Sequence, residues 1–329
     1  MYSRTQIFTL VFFIFSVLIV KGQDPYFSQF FANRLYLNPA FAGVENNRKI
    51  SLNYRNQWPA MNNAYVTYGM AYDQFIEPMN GGVGMMIFND NQGNGVITEF
   101  GLSVIYSYHL YVTRELTVNA GFQASYVQRK LNASNFIFED MLNPDGTVLP
   151  SGSESYGTYR SGFPDFAVGF TSFYKGYYSG IAMYHLLKPV HSMSSDPDSR
   201  LSRKITVFAG GMIPVYEKRL GKEVLQLSPN IIYLGQKTFN QLNYGLETHF
   251  KNMFVAGIWL RQNLGIKYSS LIFSGGYVIE RIRIRYSYDH QLTSPSVNIS
   301  SLGAHEISLI LTLDKGKKIS HRAIKCPKI

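Results

Sequence analysis

Phe100-Gly101-Leu102-Ser103-Val104-Ile105-Tyr106-Ser107-Tyr108-His109-Leu110 alternates in side-chain character with a period of two. Its even positions are all apolar or aromatic, while the odd ones are Gly101, Ser103, Ile105, Ser107 and His109. Residues i and i+2 share one face of a β-strand, so this stretch has one greasy face and one mostly small, polar face. The pattern recurs along the chain. Leu116, Val118, Ala120, Phe122, Ala124 and Tyr126 oppose Thr117, Asn119, Gly121, Gln123 and Ser125. Leu242, Tyr244, Leu246 and Phe250 oppose Asn243, Glu247 and His249, and Ile307, Leu309, Leu311 and Leu313 oppose Glu306, Ser308 and Thr312.

Composition narrows the class. The 329 residues are 46% hydrophobic, 15% aromatic and only 16% charged, with 24 Tyr, 23 Phe and 28 Gly. A soluble domain carries about 25% charged residues, so the chain is short of charge for a water-facing surface. Its mean hydropathy of −0.08 is nevertheless too polar for a helical membrane bundle. A soluble sandwich would alternate in the same way, with its polar side outward. Three features favour a membrane barrel instead. The segments commonly reach nine to twelve residues, as membrane strands of about 9–11 do and sandwich strands of about 5–6 do not. Tyr and Phe cluster near segment ends, where an interfacial girdle would lie. The third feature is an export segment.

Residues 1–22 read as that segment. Met1 to Gln6 carries one charge, Arg4, and Ile7 to Val20 is an apolar run broken only by Thr9 and Ser16. This core is short for a bilayer span of about 20 residues and fits a secretory signal, with Val20-Lys21-Gly22 as the cleavage site. An uncleaved anchor is the alternative. Cleavage puts Gln23 first and lowers the net charge from +10 to +8 by removing Arg4 and Lys21. Beyond residue 22 no apolar run approaches 18 residues, so strands in a closed barrel are expected to cross the membrane.

Fourteen strands are expected in an antiparallel transmembrane β-barrel: 49–57, 64–75, 81–89, 96–110, 116–128, 165–173, 177–186, 204–213, 224–233, 240–250, 254–261, 270–278, 281–288 and 304–313. The even number suits a bacterial barrel. Loop lengths support the count independently. Even-numbered connections are mostly very short, whereas the odd-numbered ones include the three longest, Arg129–Pro164, Leu187–Arg203 and Asp289–Gly303. Outer-membrane barrels have short periplasmic turns and long external loops, which predicts both termini in the periplasm. The expected organisation is a signal at 1–22, an N-terminal plug or lead-in at 23–48, the barrel at 49–313 and a basic periplasmic tail at 314–329.

Site chemistry is sparse. Asn143-Pro144-Asp145-Gly146 and Ser195-Asp196-Pro197-Asp198 lack the acidic ladder and terminal Glu of a calcium loop and read as turns. The seven histidines show no metal-ligand spacing. Asp289-His290 has no partner pattern for catalysis, and no phosphate or dinucleotide loop occurs. No enzyme, cofactor or metal site is expected. Arg281, Arg283 and Arg285 share the polar face of one strand and would point into the lumen. They form either an anion-selective ladder or charges neutralised internally by Glu247, Glu306 and Asp289.

A resemblance adds to this reading. Pro25-Tyr26-Phe27-Ser28-Gln29-Phe30 followed by Asn38-Pro39-Ala40-Phe41-Ala42-Gly43 resembles the mature start of the PorP/SprF family of type IX secretion membrane proteins. Tyr184-His185-Leu186-Leu187-Lys188-Pro189, Tyr286-Ser287-Tyr288-Asp289, Gly303-Ala304-His305-Glu306-Ile307-Ser308-Leu309 and the Lys325-Cys326-Pro327 tail extend it over the mature chain. The resemblance implies an outer-membrane barrel that assists secretion and surface display of cargo, including adhesins in gliding relatives. It also implies partners: outer-membrane lipids, periplasmic ring lipoproteins of the secretion machine and cargo with a C-terminal sorting domain.

Three segments are candidates for the work. Gln23–Val44 is aromatic and long enough to fold into the lumen or across its periplasmic mouth, a flexible leader being the alternative, and a filled lumen would separate a secretion accessory from a FadL-like or porin-like uptake channel. The longest loop carries Phe136 and Phe138 and would either hold cargo or fold inward as a constriction. The tail, with Lys317, Lys318, Arg322 and Ile324, combines basic and apolar residues suited to an acidic protein surface, and its periplasmic position excludes nucleic acid as its partner.

Overall fold

The computed structural model describes residues 24–61, 65–133, 141–142, 147, 157–191, 200–218, 222–264, 268–292 and 303–313. Nearly all of this is strand: β1 (Lys49–Gln57), β2 (Tyr65–Ile76), β3 (Gly81–Gln92), β4 (Ile97–Tyr111), β5 (Leu116–Asn132), β6 (Thr158–Tyr174), β7 (Tyr177–Tyr184), β8 (Lys204–Gly211), β9 (Ile213–Lys218), β10 (Lys222–Gln236), β11 (Phe239–Phe250), β12 (Phe254–Asn263), β13 (Tyr268–Ile279), β14 (Ile282–Gln291) and β15 (Ala304–Thr312). Neighbours pair antiparallel. β1 pairs with both β2 and β15, and β10 with both β8 and β11, so fourteen strands close into a ring. Closure leaves the ring without an unpaired edge, as an apolar surround requires. Among the described residues no helix is long and apolar enough to cross a membrane.

The sense of the alternation distinguishes this barrel from a soluble sandwich. In β4, Gly101, Ser103, Ile105, Ser107 and His109 are buried, while Leu102, Val104 and Leu110 are exposed, Val104 to 58%. The greasy face therefore points outward. At one end of the ring Tyr108, Tyr111, Tyr174, Tyr177, Phe250 and Phe254 stand exposed around the wall, an aromatic girdle. That end also holds the short turns. Lys175 and Gly176 join β6 to β7 with φ of 48° and 93°, the two left-handed residues that a tight hairpin needs to match strand twist.

All fourteen expected strands are present, with longer ends in places. β5 and β6 continue past the expected boundaries, so the longest connection shrinks from Arg129–Pro164 to residues 133–157. The fifteenth strand, β9, lies outside the ring. It continues the line of β8 after Met212 and pairs only with the start of β10, Lys222 to Leu227. The lapse between β8 and β9 falls opposite Pro229, which has no N–H for a ladder.

Residues 24–48 pass through the inside of the ring. Asp24 contacts His185 just after β7, Lys204 at the start of β8 and Gln236 at the end of β10, all at the long-loop end. Gly43 donates to Asp73 and the Ala42 carbonyl meets His109, both at the short-turn end. The expectation that both ends of the mature chain lie at one face is therefore corrected. Asp24 sits at the opposite end of the lumen from Lys49 and Leu313: its charged partners among the described residues, His185 and Lys204, are at the long-loop rim.

Candidate functional site

The inside of the barrel is the site with most buried chemistry, and it is organised in layers along residues 24–48. At the long-loop end His185 bridges two carboxylates, with Nε2 2.7 Å from Asp24 Oδ2 and Nδ1 2.9 Å from Asp165 Oδ2. Lys204 Nζ reaches Asp24 Oδ2 at 3.0 Å and lies over the rings of Tyr36 and Tyr184. Burial pushes the Asp24 carboxyl up, but His185 and Lys204 outweigh it and hold the group well below the usual carboxylate range. Burial likewise depresses His185, yet the flanking carboxylates of Asp24 and Asp165 raise it to about 9. The imidazole is thus a cation that donates through both nitrogens.

One layer deeper, the chain is bonded to the seam where the last strand meets the first. Ser28 N and Gln29 N donate to the Glu306 carboxylate at 2.6 and 3.0 Å, and Gln29 Nε2 donates to the Glu306 carbonyl at 2.9 Å. Arg55 of β1 donates to Asp289 at 2.9 Å and to Glu306 at 3.2 Å; Arg261 of β12 donates to Asp289 at 2.7 Å. Ser28 Oγ sits among them, accepting from both arginines and donating to Asp289. The Tyr26 ring lies 5.1 and 4.7 Å from the Arg55 and Arg261 guanidinium carbons. Two buried cations thus face two buried carboxylates; the Ser28 and Gln29 backbone N–H groups serve the two oxygens of Glu306, Asp289 accepts through Oδ2, and its Oδ1 has no hydrogen-bond partner among the described residues. That balance is what makes burial of four charges tolerable.

The middle layer is apolar. Phe30, Phe31, Leu35, Leu37 and Phe41 are buried against Ala71, Met86, Ile105, Phe173, Tyr178, Phe208, Ile232, Trp259 and Ile272, inward residues of nine strands. Phe31 meets Tyr178 edge-on and Phe41 stacks on Phe208 at 5.3 Å. Below it, Asn38-Pro39-Ala40-Phe41-Ala42-Gly43 lies directly on the wall. Asn38 Nδ2 donates to the strand carbonyls of Phe170 and Ile181, and Ser107 Oγ donates to the Ala40 carbonyl. Three wall glycines make the approach possible. A Cβ on Gly82, Gly121 or Gly169 would stand 2.1, 2.3 or 2.0 Å from atoms of this turn.

At the short-turn end Glu45 gathers three cations, Arg34 at 2.5 Å, Arg283 at 3.4 Å and Lys49. Burial pushes the Glu45 carboxyl up, but these cations hold it well below its ordinary range. The cavities beside the segment measure about 40, 20 and 40 Å³, room for a few waters each.

The residues singled out from sequence are placed as follows. Arg285 of β14 pairs with Glu247 of β11 through both guanidinium nitrogens at 3.4 Å, and Arg283 meets Glu45. Arg281 is in the turn before β14, exposed, and donates to the Leu313 carbonyl. Glu306 and Asp289 serve Arg55 and Arg261 instead of the arginines of β14. Phe136, Phe138, Lys317, Lys318, Arg322 and Ile324 lie outside the described residues. Sequence reading missed Asp24, Arg55, His185 and Arg261. Arg261 did carry a signal, as the one charge of β12, and Arg55 shares the polar side of β1 with Lys49. Among the described residues no three His, Cys, Asp or Glu side chains converge as a metal site would need.

Comparison with known proteins places the chain. The family described as type IX secretion system membrane protein PorP/SprF matches residues 19–311. None of the curated proteins is similar in sequence. Solved structures of similar shape include the Ralstonia pickettii toluene transporter TbuX, with 13% identity, a TM-score of 0.48, and 84% of this chain and 91% of that one covered. The CymD monoaromatic hydrocarbon channel is 12% identical with a TM-score of 0.48, covering 87% and 94%. The Acinetobacter baumannii outer membrane protein Omp33 is 7% identical with a TM-score of 0.46, covering 82% and 99%.

Proposed function

The chain belongs to the PorP/SprF family of type IX secretion system membrane proteins, and from that premise we propose that it is a sealed outer-membrane barrel that assists secretion and surface display of cargo without conducting it through its own lumen. One observation carries the reading: residues 24–48 fill the inside from the long-loop rim to the short-turn rim, held by charge pairs at both ends. Folded cargo cannot use that path, and a FadL-like or porin-like channel would need a continuous one. The barrel then works through its two faces. The long-loop face is external, and the connection at 133–157, with Phe136 and Phe138, presents or holds cargo carrying a C-terminal sorting domain. The short-turn face and the tail at 314–329 meet the periplasmic ring lipoproteins. The segment 24–48 is the plug.

Planar-bilayer recording tests the sealed state. The full chain is expected to show no steady conductance, and deletion of 23–44 is expected to open one. Equal conductance with and without the segment sinks the sealed-barrel reading. A strain lacking the chain is expected to lose surface display of its cargo while keeping cargo synthesis.

A further inference from the structure

A groove of about 650 Å³ runs over the outer wall between β7 and β13. It is more than ten times the size of each cavity beside the segment at 24–48. Strand register shows how it is built. Two neighbouring outward rows cross the wall, one from Tyr177 through Gly211 and Pro229 to Ile258, the other from Ala209 through Tyr244 to Leu271. Between them lies the row Gly210, Asn230, Gly245 and Trp259, whose side-chain positions face inward, so its backbone is the floor. The same arrangement over β15 and β1–β3 leaves only about 390 Å³. The side chains explain the difference. Ala209, Gly211 and Pro229 stand up from the wall far less than Leu, Ile and Tyr do, so the furrow is deep where it crosses β8 and β10.

Depth in the membrane indicates what fills it. Tyr177 belongs to the girdle, so one end of the furrow opens at the interface. Leu260, at the other end, is six residues along β12 from the girdle residue Phe254, or about 20 Å of strand. At a barrel tilt of about 35–45° this is about 15 Å of depth, half of the ~30 Å hydrocarbon layer. The furrow thus climbs obliquely from the interface to the midplane within one leaflet. Water is absent at that depth, and an empty furrow would forfeit the contacts of its lining. The lining side chains are apolar apart from two tyrosine hydroxyls and groups turned inside. The Asn230 amide is spent on the Ser228 carbonyl at 2.9 Å and on the Tyr178 hydroxyl, and the Trp259 ring packs against Phe30. An apolar cavity of about 150 Å³ already holds benzene, so the furrow has room for a hydrocarbon chain.

We propose that this furrow is a binding site for one acyl chain of a membrane phospholipid in the leaflet at the short-turn end. The furrow is continuous with the lipid-facing wall, so such chains reach it without crossing any barrier. A chain elsewhere on the wall touches protein on one side; a chain here is held by the floor and by both rows. The site requires only a barrel in a bilayer and is independent of the part the chain plays in secretion.

Native mass spectrometry of the full chain, extracted from outer membranes in mild detergent, tests the site. A one-phospholipid adduct is expected. Ala209→Trp places a ring in the furrow and is expected to reduce that adduct about ten-fold, whereas Val104→Trp, on the lipid-facing side of β4, leaves it unchanged. A second measurement needs no change in the furrow. The Trp259 ring packs on Gly245, so one layer of strand backbone separates it from the furrow. In the Trp58→Phe chain, phosphatidylcholine with a dibrominated acyl chain is expected to quench Trp259 and to saturate at about one lipid per barrel. Absence of the adduct, an adduct of detergent or of an acylated protein in its place, or equal response to the two tryptophan substitutions overturns the site. So does quenching that rises without saturation.

Discussion

Gly121→Ala adds one methyl group to the inner wall of β5, and its cost follows from what that methyl would meet. The new Cβ would lie 2.3 Å from Ala40 N, 2.5 Å from the Pro39 carbonyl carbon and 2.6 Å from Ala40 Cα. All three are backbone atoms and cannot rotate away, so the turn must retreat by about 1 Å to reach ordinary contact. Retreat stretches the Ser107 bond to the Ala40 carbonyl, now 3.1 Å, and draws Asn38 away from the Phe170 and Ile181 carbonyls at 3.1 and 3.0 Å. Overpacking costs about 1–3 kcal/mol and each buried polar group left unpaired about 1–3 kcal/mol, so with partial relaxation the loss is about 3–5 kcal/mol. Gly275→Ala in β13 is the control, since its Cβ meets nothing within 4 Å, and a change of about 0.5 kcal/mol or less is expected. The assay is denaturant unfolding in lipid vesicles on a Trp58→Phe background. The remaining tryptophan, Trp259, packs 5.4 Å from Phe30 and reports on the segment directly. Equal stability of the two alanine variants would refute the idea that the wall glycines seat the segment.

Arg261→Met leaves Asp289 buried with Arg55 as its one cation among the described residues and strips one donor from Ser28; a loss of about 3–5 kcal/mol is expected in the same unfolding assay. His185, raised from 6.5 to about 9 by its carboxylates, contributes stability that is complete below pH 6.5 and disappears as pH rises through 9. Unfolding midpoints should fall across that window by the equivalent of at most about 3 kcal/mol, and the fall should vanish in His185→Gln. Truncation after Leu313 keeps every described strand, so heat-modifiable migration should persist; loss of the folded band would place the tail in the barrel's stability.

What was legible in the sequence was what repeats locally. Alternation over Phe100–Leu110 and its counterparts located fourteen strands, because a wall between lipid and a polar interior imposes period two on every strand. Loop parity located the two ends. β9 was not legible: Ile213–Lys218 is short, contains Pro214 and leans on a bulge, and each of these removes the periodic signal. The arginines of β14 illustrate a second limit. Their spacing placed 281, 283 and 285 on one face, but the turn ends before Ile282, so Arg281 is outside the strand and exposed.

The interior was legible only as composition. Ser28 and Asp289 are 261 positions apart, and Asp24 and Lys204 are 180 apart; no window along the chain can display such pairs. The motifs at 25–30 and 38–43 nevertheless mark where the contacts fall. Phe30 and Phe31 supply the apolar layer, Ser28 and Gln29 supply the donors for the closing seam, and Asn38 to Gly43 needs a wall without Cβ atoms. The complementary signal was present in the strands, as Gly82, Gly121 and Gly169 at inward positions where a side chain would otherwise fill space. A glycine facing the inside of a barrel leaves room for a second backbone. Three of them near one end, together with an aromatic segment ahead of the first strand, are how a filled lumen is written in a linear sequence.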